Sequence, residues 1–156
     1  MNSNITNPTT ARQLNYKLTI QNMKYFTIDE LTRSDTAIAR RIDNTPSPAV
    51  VENLKNLVFF VLDPLREAYG KPITVNSGYR SPALNKVTKG ASKTSQHMIG
   101  EAVDITVKSK AGNKWLFDFI KDNLPYDQLI DEYNYSWVHV SLDGDMCNRR
   151  EIIHQR

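Results

Sequence analysis

The sequence has 156 residues, of which 40% are hydrophobic and 24% charged, a composition typical of one globular domain with its own core. Because Cys147 is the single cysteine, the chain forms neither an intramolecular disulfide nor a cysteine-based metal site. The net charge of +3 is spread along the chain, without the dense basic stripe of a nucleic-acid-binding protein.

Membrane-spanning and secretory features are also missing from the sequence. No apolar run approaches the length of a transmembrane helix. The first residues do not show a basic segment followed by an apolar one. We therefore expect a protein that is made in the cytosol without its own secretion signal, and that binds neither nucleic acid nor membrane.

Residues 1–22 are polar and carry no recognisable chemistry. Their one pattern is an alternation typical of a short strand, at Leu14, Tyr16, Leu18 and Ile20. Met23 follows as a second plausible start. We therefore divide the chain into an N-terminal extension, residues 1–22, and one domain, residues 23–156.

Capping patterns predict two helix starts. Thr27 and Glu30 have the spacing of a capping box, which predicts a short helix. Ser47-Pro48 provides an N-cap and a proline at the first helical position, and apolar residues then recur at helical spacing up to Gly70. Pro64 lies inside this second helix and should kink it or break one turn, because proline has no backbone N–H.

Alternating apolar residues predict four strands, at residues 72–80, 103–107, 127–133 and 137–143, and helical spacing predicts a helix at 113–124. A tight turn through Asn134 and Tyr135 joins the last two strands. The tail after Gly144 is polar, and we expect His154 to be exposed. The predicted fold is α+β, with a small antiparallel sheet packed against helices on one face.

Several polar side chains are predicted to share the other face of this sheet: Thr74, Asn76, Arg80, Asp104, Glu132 and His139. In the hairpin, a two-residue turn puts Glu132 opposite Trp137 and on the face of His139. A three-residue turn would put Asp131 there instead. We expect Glu132 and keep Asp131 as the alternative.

The segment at residues 95–104 offers two candidate metal ligands. His97 is followed seven residues later by Asp104, and His139 on a later strand is the best third candidate. Two neutral histidines and one carboxylate leave an open coordination position for water, as catalytic zinc sites require. The same spacing occurs in proteins without metal, so histidines that only form hydrogen bonds are the alternative.

Three further residues suit a hydrolytic site. A carboxylate that does not bind the metal, here Glu132, would take a proton from water and pass it to the leaving amine. Arg80 would hold a substrate carboxylate or stabilise the oxyanion, and Ser95 would hydrogen-bond the substrate. The alternatives are a solvated arginine and a surface charge at the hairpin end.

Two motifs contain these candidates, Ser95-x-His97-x-x-Gly100-x-Ala102-x-Asp104 and Trp137-x-His139. Together they resemble the M15 zinc peptidases, which include D-Ala-D-Ala carboxypeptidases and phage endolysin peptidases and share their fold with the hedgehog signalling domain. The resemblance continues through residues 26–31, 63–66, 75–82 and 127–130, and covers roughly residue 25 to the C-terminus.

The resemblance implies a hedgehog/DD-peptidase-like fold with zinc held by His97, Asp104 and His139 on the sheet face opposite the helices. It also implies a glutamate on the preceding strand as base, and the arginine of Ser-Gly-Tyr-Arg as substrate-binding and oxyanion-stabilising residue. In this sequence these two are Glu132 and Arg80. Many M15 enzymes place the acid three residues before the last histidine, where this chain has Ser136.

The function implied is hydrolysis of peptidoglycan stem peptides by a monomeric phage or prophage enzyme. Such an enzyme would stay in the host cytoplasm until release and then act in the periplasm or cell wall. Both carboxypeptidase and endopeptidase activity are open, with Arg80 favouring the first. The non-enzymatic alternative is a zinc-stabilised binding or virion structural module of the same fold.

Overall fold

The computed structural model describes residues 23–156, so the extension at 1–22 and its alternating residues lie outside the described part. Five strands of this described part form one sheet in the order β1-β2-β4-β3-β5. Their bounds are β1 Thr74–Ser77, β2 Ala102–Thr106, β3 Gln128–Glu132, β4 Trp137–Ser141 and β5 Glu151–Gln155. The α+β class predicted from the sequence is confirmed for these residues.

Within residues 23–156, six α-helices accompany the sheet: α1 Ile28–Thr32, α2 Asp35–Arg40, α3 Pro48–Leu57, α4 Asp63–Tyr69, α5 Pro82–Val87 and α6 Lys110–Asn123. A 3-10 helix at Gln96–Ile99 precedes β2. The predicted caps are confirmed, since the Thr27 and Ser47 hydroxyls accept hydrogen bonds from backbone amides in the first turns of α1 and α3. Helix α6 begins three residues before the predicted start, after an N-cap at Ser109.

Pro64 changes the hydrogen bonding of the long helix, because the proline nitrogen has no hydrogen to donate. A π-helical segment, Val58–Leu62, separates α3 from α4, and the Asp63 amide bonds to the Val58 carbonyl oxygen five residues back. The altered turn expected at Pro64 is therefore this π-helical segment, which lies directly before the proline. Gly70, in the left-handed conformation, ends α4 as predicted.

The core lies between α3, α4 and α6 on one side and the strands on the other. Helix α6 contacts β3 and β4 directly. Fully buried residues that form this layer are Leu54, Val58, Leu65, Val103, Ile105, Leu116, Ile120, Leu129, Val138 and Val140. None of the helices in residues 23–156 has both the length and the hydrophobicity needed to cross a bilayer.

The sheet register decides which polar residues meet. Asp104 in β2 lies opposite His139 in β4, and Glu132 in β3 lies opposite Trp137. The predicted pairing of Glu132 is therefore confirmed. The connection is longer than predicted, because four residues, 133–136, separate the two strands instead of two.

The prediction of a purely antiparallel sheet is wrong. Strand β5 lies in the tail that we described only as polar, and it pairs parallel to β3. His154, expected to be merely exposed, retains 46% of its side-chain exposure but places Nδ1 3.1 Å from the Asp131 carboxylate. The segment was missed because its charged and apolar residues do not alternate strictly, and a parallel partner is not adjacent in sequence.

Strand β1 also departs from the prediction. Its register with β2 is irregular between Val75 and Ser77, so that Ser77 instead of Asn76 lies opposite Asp104. A β-bulge of this kind re-aims the side chains on either side of it. As a result Val75, Asn76 and Ser77 all line the cleft described below, whereas Thr74 does not.

Candidate active-site cleft

A cleft of about 1040 Å³ opens on the sheet face opposite the helices. All six residues predicted to form the site line it: Arg80, Ser95, His97, Asp104, Glu132 and His139. They come from separate elements, since Arg80 follows β1, Ser95 caps the 3-10 helix, and the others lie in that helix, β2, β3 and β4. The fold thus brings together side chains that are up to 59 positions apart in the sequence.

A tight turn positions His97 in the cleft. The Ser95 hydroxyl accepts a hydrogen bond from the His97 amide, and Gly100 ends the 3-10 helix at a φ of 75°. A Cβ atom on Gly100 would lie 2.7 Å from the Val50 carbonyl oxygen, so the turn packs on α3 without room for a side chain. Only 2% of His97 is exposed.

The backbone around Gly78 sets the orientation of the His97 ring. Nδ1 of His97 lies 2.7 Å from the Gly78 carbonyl oxygen, which can only accept. The proton is therefore on Nδ1, and Nε2 presents its lone pair to the cleft. Gly78 itself is pressed against α1, because an added Cβ would overlap the Leu31 carbonyl oxygen.

Three ligand atoms converge at the bottom of the cleft. Nδ1 of His139 lies 2.9 Å from Oδ1 of Asp104 and 3.3 Å from Nε2 of His97. Nε2 of His97 lies 3.4 Å from Oδ2 of Asp104. Ligand atoms around a tetrahedral zinc ion lie roughly 3.3–3.6 Å apart, given bond lengths of about 2.0–2.2 Å. The 3.3 Å and 3.4 Å distances match this spacing, and the 2.9 Å contact between His139 and Asp104 is a hydrogen bond. The two imidazoles and the carboxylate are therefore close enough together to hold such an ion.

Burial and charge favour the protonation states that metal binding needs. Burial lowers the pKa of His97, against the opposing effect of the Asp104 carboxylate, so the imidazole is neutral. For Asp104, burial acts to raise the pKa, but the two neighbouring histidines outweigh it and hold the pKa well below its ordinary value. Neutral imidazole and ionised carboxylate are the forms that bind a metal.

Arg80 is held beside the three ligands by neutral partners. Its guanidinium donates to the Ser77 and Ser95 hydroxyls, each at 3.2 Å, and to the Asn85 side-chain oxygen at 3.2 Å. Burial lowers the pKa of Arg80, while the Asp104 carboxylate 3.9 Å away opposes that shift. Ser77 and Asn85 were not identified from the sequence; the Ser-Gly-Tyr-Arg segment was the available signal for the first of them.

Glu132 and Asp131 point to opposite sides of β3. Glu132 is half-buried in the cleft, where burial raises its pKa and the Asp104 charge adds to that effect. Asp131 does not line the cleft and is completely buried on the other side. The placement of the two acids is therefore the one the strand register predicts.

A second group of residues, which was not identified from the sequence, stabilises the turn that carries His97. The Gln96 side-chain amide donates to Asp127 at 3.0 Å and to Glu101 at 3.4 Å. Asp127 is buried, and Arg149 binds both of its oxygens, which lowers the pKa of that carboxyl. The tail after β4 is thus connected to the candidate metal ligand through two side chains.

A comparison with protein-family models matches residues 24–141 to the peptidase M15 family. The match covers most of the chain. The protein belongs to the peptidase M15 family. A comparison with curated proteins gave no significant match.

The matched region of this M15 peptidase contains all six residues of the cleft named above. Strand β5 and Arg149 lie beyond its end, although Arg149 and Gln155 both line the cleft. M15 membership supports peptidase activity and agrees with the α+β fold. Residues after 141 therefore also line the cleft, although the family match does not include them.

Proposed function

We propose that this M15 peptidase is a zinc-dependent hydrolase of peptidoglycan stem peptides, with His97, Asp104 and His139 as the zinc ligands. The observation that carries the proposal is the convergence of three ligand atoms in a cleft that also holds a separate carboxylate and an arginine. A structural zinc site would need neither of these additional groups. It would also be closed by a fourth protein ligand.

Glu132 suits the role of base. It shares the face of His139, lies two positions along β3 from the residue opposite that histidine, and is not one of the three converging ligands. A zinc ion bound at the site would acidify a water molecule and polarise the substrate carbonyl. The Glu132 carboxylate would accept the proton of the attacking water and donate it to the leaving amine.

Arg80 and Ser95 suit the binding of the substrate. The Arg80 guanidinium is fixed by three neutral oxygens, so its charge is balanced only in part, by Asp104 at 3.9 Å. It is placed to bind the substrate carboxylate or the oxyanion. The Ser95 hydroxyl, between Arg80 and the His97 turn, would hydrogen-bond the peptide.

The wider setting follows from the same assignment. We propose a hedgehog/DD-peptidase type of domain at residues 23–156 with an N-terminal extension at 1–22, acting as a monomer. A phage or prophage lysin that is made in the host cytoplasm and acts on the cell wall after release fits this function. Both carboxypeptidase and endopeptidase activity fit the open cleft.

The test is mass spectrometry of purified stem peptides and muropeptides incubated with the zinc-loaded protein, with a chelated sample as control. Loss of one terminal D-alanine would identify a carboxypeptidase, and an internal cut would identify an endopeptidase. Absence of a metal-dependent product from every type of wall would contradict the proposal and favour a zinc-stabilised binding or virion module.

A further inference from the structure

Two aromatic side chains line the cleft and have no role in the proposed peptide hydrolysis. The rings of Tyr133 and Trp137 lie 5.3 Å apart, tilted by 49°, and both line the cleft. Tyr133 keeps 48% of its surface exposed. Large aromatic residues exposed inside a cleft are typical of binding surfaces. We call this pair the aromatic platform.

The aromatic platform lies close to the candidate metal ligands. Trp137 and His139 are two residues apart in β4 and point to the same face, which separates their Cα atoms by roughly 7 Å. Glu132 lies directly opposite Trp137 on the neighbouring strand, so the platform adjoins the proposed base as well as the candidate ligands. Part of a substrate bound at this site would therefore lie within reach of the two rings.

The loop that carries Tyr133 has an energetically unfavourable backbone conformation. Tyr133, Asn134 and Tyr135 have φ values of 48°, 54° and 59°, and three consecutive left-handed residues other than glycine are each disfavoured by about 1 kcal/mol or more. Hydrogen bonds from outside the loop hold it in place. The Tyr133 amide donates to the Gln155 carbonyl oxygen at 2.9 Å, and the Asn113 side chain donates to the Tyr135 carbonyl oxygen at 2.9 Å.

The ring face of Tyr133 is the part presented to a ligand. Its hydroxyl already accepts a hydrogen bond from the Gln155 side-chain amide at 3.1 Å. Gln155 also lines the cleft, so one neutral amide borders the ring of Tyr133. The combination is an apolar face with a neutral polar edge, which matches the two sides of a pyranose ring.

We propose that the aromatic platform binds an N-acetylated sugar of the glycan strand to which the stem peptide is attached. This proposal rests on the proposed function. Stem peptides are built from alanine, glutamate and a diamino acid, so none of their side chains has a broad apolar face to cover two rings. The sugar is the part of that substrate with such a face, and its hydroxyl and acetamido groups would bond to the neighbouring Gln155 amide.

The experiment uses Trp137 as the reporter. The sequence has two tryptophans, and Trp115→Phe leaves Trp137 as the single one while preserving the stack on Phe119, away from the cleft. The chelated Trp115→Phe protein is titrated with a disaccharide-tetrapeptide and with the same tetrapeptide lacking sugar, and Trp137 emission is followed. We expect the disaccharide-tetrapeptide to bind more tightly and to shift the emission.

Tyr133→Ala, made in the same background, should weaken binding of the disaccharide-tetrapeptide roughly 3- to 10-fold, the range for one aromatic contact. Binding of the free tetrapeptide should not change. Tyr133→Phe is the matched control and should retain the affinity, because only the hydroxyl is lost. If Tyr133→Ala does not show a folded melting transition, Tyr133→Leu replaces it, since leucine keeps apolar bulk without a ring.

Two results would overturn the proposal. Equal affinity for the two ligands would show that the platform does not recognise sugar. Weakening of the free tetrapeptide by Tyr133→Ala would show instead that the rings bind the ammonium group of the diamino acid. Because the titration is done without metal, sugar binding with no peptide cleavage after zinc addition would contradict only the proposed function.

Discussion

Two clusters of histidine, aspartate and arginine lie on opposite sides of neighbouring strands in this sheet. One contains Asp104, His139, His97 and Arg80 and faces the cleft. The other is built on the buried Asp131 and includes His154 and Arg156, whose side chains are exposed. Residue types alone would make both of them candidate metal sites.

The hydrogen bonds separate the two clusters. The Asp131 carboxylate accepts from the Tyr135 amide, from His154 at 3.1 Å and from Arg156 at 2.9 Å. These partners use its lone pairs, and a single histidine is present. This cluster therefore anchors β5 to β3 and leaves no set of converging lone pairs.

In the cleft, by contrast, the candidate ligand atoms point towards one another. Two imidazoles and one carboxylate meet there, and the Gly78 carbonyl oxygen binds the far nitrogen of His97, so that its other nitrogen faces the centre. What distinguishes a candidate metal site is thus the direction of the lone pairs and not the list of residues.

The largest difference is expected for metal binding. His97→Ala should abolish stoichiometric zinc binding, activity and the thermal stabilisation that zinc provides, because one of three ligands is lost. His154→Ala is the matched control in the other cluster and should retain zinc. Metal content by mass spectrometry and melting with and without zinc measure both effects. Stoichiometric zinc in the His97 variant would refute the ligand assignment.

The next difference concerns turnover. Glu132→Gln should reduce kcat by about 10²–10⁴-fold, the usual contribution of a general base, while zinc stays bound. Asp131→Asn, one position along the same strand, should retain kcat within a few-fold and instead lower stability by about 1–3 kcal/mol. Full activity in the Glu132 variant would exclude it as the base.

The smallest expected effect is the contribution of the Asp131 carboxylate to the pH dependence of the free energy of unfolding. Burial acts to raise the pKa of Asp131, but the Tyr135 amide, His154 and Arg156 outweigh it and lower the pKa below its ordinary value of 3.8. The ionised form therefore stabilises the fold above about pH 4, and this contribution is lost as the pH falls.

Asp131→Asn removes this contribution, so wild type and variant should converge on acidification. Urea unfolding at pH 6 and at pH 3 should show a gap that narrows by about 1 kcal/mol, a small value because His154 and Arg156 are well exposed to solvent. A gap that is constant with pH would mean that the Asp131 charge does not stabilise β5.

The sequence was most informative where short-range patterns decide the structure. Ser47-Pro48 predicts the start of α3 because capping is local, and alternation puts Asp104 and Glu132 on one face because strand parity is local. The same parity puts His139 on that face, whereas His97 was identified from its spacing to Asp104 and from the resemblance to the M15 peptidases. The roles of these residues stay predictions until metal and turnover are measured.

Long-range partners were outside the reach of those patterns. Strand β5 pairs in parallel orientation with residues 23 positions earlier in the chain, and no turn signal marks such a partner. The bond from His97 to the Gly78 carbonyl and the ion pair of Arg149 with Asp127 depend on packing that no periodicity encodes. The bulge in β1 likewise changes side-chain parity by one residue.

The close approach of Gly78 to α1 bears on attempts to graft this site onto another protein. The Tyr79 amide bonds to the Leu31 carbonyl oxygen at 2.8 Å, and Gly78 next to it bonds to His97. A designer who copied only the three candidate ligands and their strands would omit this support, and the His97 ring would be free to turn or to exchange tautomers. The smallest unit that can be transplanted therefore includes α1, although α1 contributes no ligand.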